Sequence, residues 1–233
     1  IPKKLEPISK GYSGIAKDGF DLISSQFTIH YYFKDEKTFE GYLQNLSDNC
    51  KKGGYFIGTC YDGRRVYDLL TKSENNRVEM IDNHDNKVFS ISLKEQKYET
   101  FDYDSDNNES MFGREISVYM NSIGQEIDEY LVNFDMFEER MKKYNFHLVS
   151  PNFKSTSKGK SVKKLHKISN ELFNDHTIKD GLGSFEQIIE KIEKLSPDII
   201  ESGAKKAREM ITQKNEKLRL LSSLNNWFIF QKR

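Results

Sequence analysis

Gln26, Phe27, His30 and Tyr31 fall within six residues, in the stretch "DLISSQFTIHYYFKDE" (21–36), where an apolar run turns polar before an acidic helix start. Those residue types suit a flat, polar ligand. Aromatic faces stack on heterocycles, Gln and His side chains donate and accept along a ring edge, and a tyrosine face attracts a cation such as a sulfonium. Residue type alone leaves the plainer reading open, in which His30 and Tyr31 are satisfied polar groups at the end of a strand.

Glu129, in "DEYLVNF" (128–134), is the second candidate. A glutamate beside Asp128 is ordinarily solvated, but Tyr130, Leu131 and Val132 predict a half-buried position, where a carboxylate needs a donor. Guanine offers two donors side by side, N1–H and the N2 amino group, matched to the two carboxylate oxygens. Other chemistries lack their groups. His30, His84, His147, His166 and His176 show no metal-ligand spacing with one another or with Cys50 and Cys60. There is no nucleophile elbow, phosphate loop or dinucleotide fingerprint.

These residues need elements to position them. Residues 20–27 read as a buried strand. "DEKTFEGYLQNLSDNCKK" (35–52) follows as a helix with Asp35 as N-cap and Gly53–Gly54 as its stop. "YFIGTC" (55–60) is a second strand and "GRRVYDLL" (63–70) a short helix. Strand, helix, strand, helix predicts a parallel sheet, whose ligands sit beyond the carboxyl ends of the strands. Residues 76–82, 87–93 and 115–121 read as antiparallel strands, with a polar loop over 102–110. Residues 129–150 read as a turn, an amphipathic helix and a strand. A basic loop (154–164), helices near 164–174, 184–195 and 198–218, and a last strand (225–232) complete the chain.

The 233 residues can bury a substantial core as one domain. Lys+Arg and Asp+Glu both number 36, so any nucleic-acid contact must come from a local patch. The basic run 154–164 reads first as a solvated loop and second as an RNA track. Two cysteines are too few for a disulfide framework and fit a reducing compartment. No apolar run reaches membrane-spanning length, and no signal-peptide pattern is present.

Four segments together resemble one family. "FDLISSQFTIHYYF" (20–33) is similar to the signature F-D-x-x-S-x-Q-F-x-x-H-Y-x-F of mRNA cap (guanine-N7) methyltransferases. "GGYFIGTCYDG" (53–63) resembles the family's next strand and turn. "SIGQEIDEYLVNFDMFEERMKKYNFHLV" (122–149) and "LSSLNNWFIFQK" (221–232) resemble the versions in capping enzymes of large cytoplasmic DNA viruses. The order is the family's, and the segments span nearly the whole chain.

The resemblance implies an α/β fold, the class I (Rossmann-like) sheet of S-adenosylmethionine-dependent methyltransferases. On it, residues 1–233 are the C-terminal portion of a single methyltransferase domain, with an antiparallel insertion over 76–121 and a loop and helical insertion over 154–220. The family's glycine-rich donor loop and its acidic ribose-binding residues are not in this chain. The N-terminal part of the fold is therefore expected upstream, in a longer polypeptide that begins before Ile1. By motif position, Gln26 and Tyr31 contact S-adenosylmethionine, while Phe27, His30 and Glu129 hold the cap guanine. Trp227 stands near the place of a family aromatic, usually Tyr. No acid–base catalyst and no metal is expected, because guanine N7 already carries an in-plane lone pair. The implied partners are the capped 5′ end of mRNA (GpppN), upstream triphosphatase and guanylyltransferase domains, and a viral RNA polymerase or stimulatory subunit. No membrane is implied, and the implied location is cytoplasmic, in a viral factory or virion. Two alternatives stay open: methylation of another RNA site, and a catalytically silent module that binds RNA or stimulates a partner.

Overall fold

The computed structural model describes residues 17–82, 84–94, 100–104, 111–149, 181–187 and 216–233. Strand β1 (Phe20–Gln26) leads through a 3₁₀ turn (Ile29–Lys34) and helix α1 (Glu36–Asn49) to strand β2 (Cys50–Tyr61), which lies parallel to it. Asp35 starts α1, its carboxylate accepting from the Thr38 N–H at 2.7 Å. Phe39, Leu43 and Leu46, at helical spacing, form the buried face. The helix ends at Asn49, short of the glycine pair, because Cys50 already pairs with Phe20. Gly53 and Gly54 instead lie inside β2, where the register against β1 slips between Phe20 and Leu22. Gly53 takes φ +82°, and a Cβ on Gly54 would lie 2.9 Å from the Phe20 carbonyl oxygen. The pair serves a bulge rather than a helix stop.

Helix α2 (Gly63–Thr71) follows β2, capped by the Asp62 carboxylate, which accepts from the Arg64 and Arg65 N–H groups. Strands β3 (Arg77–Ile81), β4 (Lys87–Leu93), β5 (Glu115–Met120) and β6 (Glu126–Tyr130) form an antiparallel sheet in chain order. β6 is not expected from the sequence: its last two residues fall at the start of the stretch read as a turn, and Glu126–Asp128 belong to no expected element. Its five residues carry three acidic groups, and only the cross-strand row Ile91–Val118–Ile127 discloses its apolar side. Helix α3 (Phe134–Lys143), strand β7 (Phe146–Leu148), strand β8 (Leu182–Ser184), helix α4 (Glu216–Ser223) and strand β9 (Asn225–Lys232) complete the description. The expected basic loop 154–164 and helix 164–174 lie outside the described residues, as do 188–195 and 198–215 of the two helices expected after them.

The first sheet has the order β1–β2–β9–β7. β9 runs antiparallel to β2 and carries β7 and β8 on successive halves of its other edge. Among the described residues only β1 and β2 form a parallel pair. Among the described residues β1 is an outer strand of that sheet, with Phe20 and Leu22 exposed by 42% and 55%, where the apolar run reads as buried. Phe56 and Cys60 of β2, with Phe228 and Phe230 of β9, meet α1 and α3 in an aromatic core. A second cluster joins α2, through Val66 and Leu70, to Phe89, Ile91, Ile116 and Val118 of the antiparallel sheet. Among the described residues no helix is long and apolar enough to cross a membrane.

Candidate active site

Gln26 ends β1, and the next residue leaves extended geometry. Phe27 sits at φ +52°, a left-handed conformation that bulky side chains rarely adopt and that costs about 1–3 kcal/mol. Its N–H still bonds the Thr59 carbonyl of β2 at 2.8 Å, so the ladder closes while the ring swings out to 49% exposure. The Gln26 side chain is held alongside: Oε1 accepts from Thr59 Oγ1 at 2.8 Å, and Nε2 donates to Ser24 Oγ at 2.9 Å. The 3₁₀ turn then buries His30 and leaves Tyr31 at 43% exposure, the two rings 4.2 Å apart at 63°. Tyr31 thus keeps an open face beside a polar strand end.

Register decides the position of Glu129. It pairs with Ile116, which pairs with Leu93, so it continues the apolar side of the antiparallel sheet, whereas Asp128 faces outward to Lys94. The result is a buried carboxylate 3.5 Å from His30 Nε2, an approach short of a hydrogen bond. Among the described residues no group hydrogen-bonds His30 Nδ1, His30 Nε2 or Glu129 Oε2. Buried polar atoms left this way cost free energy unless a ligand meets them. Burial raises the Glu129 carboxyl to about 7 and lowers the His30 imidazole to about 4. At neutral pH the imidazole is uncharged and the carboxylate is poised to ionise.

Sequence reasoning missed two neighbours. Burial raises the Tyr61 phenol and the Cys60 thiol, and the Glu129 carboxylate adds to both, which places the end of β2 beside that charge. Tyr61 is the last residue of the second parallel strand, where the rule for ligands beyond carboxyl ends could have found it. Trp227 is buried on β9 opposite Thr59, its indole lying against Gly183. The structure thus brings His30 and Glu129 together, sets Phe27, Gln26 and Tyr31 around the same strand end, and carries Trp227 on the strand next to Thr59.

The mRNA (guanine-N(7))-methyltransferase domain profile matches residues 3–231 of this sequence. The chain belongs to that family. Over 126 residues it is 30% identical to the "Probable mRNA-capping enzyme" of Acanthamoeba polyphaga mimivirus, a match covering 53% of this chain and 10% of that protein. Over 130 residues it is 27% identical to the mRNA cap guanine-N(7) methyltransferase of Saccharomyces cerevisiae, covering 56% of this chain and 29% of the yeast protein. The chain therefore spans a minor part of the length of the relatives it matches. A crystal structure of an S-adenosylmethionine-dependent methyltransferase from Clostridium acetobutylicum superposes with a TM-score of 0.35 at 18% identity, covering 61% of this chain and 54% of that one. Among the described residues the mixed sheet, with one parallel pair and an antiparallel last strand, fits the class I fold expected for the family.

Proposed function

We propose that this chain carries the cap-binding half of a site that methylates N7 of the mRNA cap guanosine. One observation carries the reading: the buried His30–Glu129 pair, with unused hydrogen-bonding atoms, beside the half-exposed Phe27 ring and beyond the ends of the only described parallel strands. Glu129 accepts from the Watson–Crick edge of guanine, His30 meets a neighbouring edge atom, and Phe27 stacks on the base. Trp227 adds an aromatic surface from β9.

When bound, S-adenosylmethionine supplies a methyl group activated on a sulfonium. The residues present fit it on one side: the open Tyr31 face suits the cation, and Gln26 presents an amide at the strand end. Transfer to the guanine N7 lone pair would form the new N–C bond as the methyl–sulfur bond breaks, leaving the positive charge on the base. No proton moves, so the side chains act by alignment and electrostatics. A neutral His30 places no cation against a base that is becoming cationic, and an ionised Glu129 favours that charge.

Capped mRNA is then the substrate. Upstream capping domains and a viral origin are part of the same proposal, supported by the likeness to the mimivirus protein, and a cytoplasmic factory follows only from the resemblance to viral capping enzymes. The test is transfer of labelled methyl from S-adenosylmethionine to GpppRNA, with Glu129→Ala and His30→Ala alongside. Labelled m7G in wild type and a loss of about two orders of magnitude or more in both variants is the expected result. Binding of capped RNA without transfer by the full polypeptide would assign the chain to a silent binding module instead.

A further inference from the structure

Residues 181–187 form a short segment inside the stretch 154–220, which carries no assigned role, and the segment touches two of the proposed cap residues at once. Strand β8 adds to β9 with Gly183 opposite Trp227. Gly183 must lack a side chain there, since a Cβ would lie 2.6 Å from Trp227 Cζ2. Immediately afterwards a helix opens on a reciprocal cap: the Ser184 N–H donates to Gln187 Oε1 at 2.9 Å, and the Gln187 N–H to Ser184 Oγ at 3.2 Å. That cap fixes where the next side chain goes. Phe185 meets Phe27 edge-to-face, with ring centroids 6.5 Å apart and planes at 74°, within the favoured range for aromatic pairs.

Phe27 needs such a neighbour. Its left-handed backbone turns the ring away from the sheet, and a half-exposed ring on a single-residue kink has rotamers to choose from. The Phe185 contact restricts that choice while leaving half of the Phe27 surface open. The same segment seats the Trp227 indole through Gly183.

We infer that Gly183–Phe185 is the preorganising wall of the cap pocket, with Phe185 a positioning residue that sets the Phe27 ring for stacking on the base. The inference deepens the proposed function and rests on it. A ring held in its bound orientation lowers the ordering cost of binding, so the effect belongs in cap affinity rather than in the methyl-transfer step.

The test uses the full polypeptide and measures kcat, KM for GpppG-capped RNA and KM for S-adenosylmethionine in wild type, Phe185→Ala, Phe185→Tyr, Phe27→Ala and the Phe27→Ala/Phe185→Ala double variant. Thermal unfolding is followed in parallel. Phe185→Ala is expected to raise KM for capped RNA about three- to tenfold, the worth of one edge-to-face pair. KM for S-adenosylmethionine and kcat should change less than twofold, and Phe185→Tyr, which keeps the ring, should restore cap affinity. The double variant should be no worse than Phe27→Ala, because one residue acts through the other. Because Trp227 is the sole tryptophan of the chain, quenching of its emission by GpppG gives the same affinities without turnover. An unchanged cap affinity in Phe185→Ala, additive losses in the double variant, or equal losses of both substrates without rescue by Tyr would overturn the inference while leaving the proposed function standing. A wild-type full polypeptide that neither binds GpppG nor methylates it would overturn both.

Discussion

Burial holds the Glu129 carboxyl near 7 and the His30 imidazole near 4, against ordinary values of 4.5 and 6.5. Between pH 4.5 and 7 the folded chain keeps a proton on Glu129 that the unfolded chain has shed. The contribution of this group to stability is therefore complete below 4.5 and is lost as pH rises through 7. His30 runs the other way: its contribution is complete above 6.5 and is lost as pH falls through about 4. The two slopes oppose each other over the shared window. Glu129→Gln removes the acid's part, so at pH 8 this variant should be more stable than wild type by roughly 2–3 kcal/mol, read by denaturant or thermal unfolding. At pH 4.5 the gap should close, and equal stabilities at both pH values would show that the carboxyl is not desolvated. Activity has the opposite requirement. In the proposed site the ionised form meets the guanine donors, so kcat/KM for capped substrate should rise with pH through about 7 and then level. In Glu129→Gln that rising limb should vanish along with most of the activity.

At the scale of elements, two substitutions separate local from tertiary contributions. Asp35→Ala removes the cap of α1 on the exposed side of the 3₁₀ turn and should cost about 1 kcal/mol in unfolding free energy with no change in substrate KM. Gly58→Ala is a different case, because its Cβ would lie 2.3 Å from Phe228 Cζ and 2.4 Å from the Ser25 carbonyl oxygen. A ring alone could turn aside, but the backbone of β1 cannot, so the loss should exceed about 3 kcal/mol or leave the chain insoluble. The same neighbourhoods explain what the sequence could disclose. Helical spacing at Phe39, Leu43 and Leu46 and the dense apolar runs of β2 and β9 announced themselves, because burial on one face leaves a period. β6 did not, since Glu126, Asp128 and Glu129 mask its alternation, and one of those acids turns inward only through pairing with β5. β8 has three residues, one of them glycine, and exists because β9 offers it an edge. The His30–Glu129 approach joins residues 99 positions apart through two sheets, so their candidacy was legible but their distance was not.

For the molecule as a whole, equal numbers of acidic and basic residues set the terms of RNA binding. A cap held by stacking and hydrogen bonds needs little counterion release. Between 50 and 200 mM salt, the affinity of this chain for GpppG should change less than about threefold, against the thousandfold or greater losses of proteins that grip six or more phosphates. Titration by Trp227 emission at the two salt concentrations reads this directly, and a steep slope would point to a basic track along the RNA. The placement of β9 reaches further, into how the chain comes to be folded during synthesis. The strand that joins β2 to β7 and β8 is the last of the four to be translated. Until it emerges from the ribosome, β2 has a bare edge and the Phe56 side of the core has no Phe228 or Phe230 to close on. The sheet is therefore completed at its middle by the last of its strands to be made, so a chain broken off before Asn225 lacks the keystone of this sheet and is left for proteases and chaperones to sort.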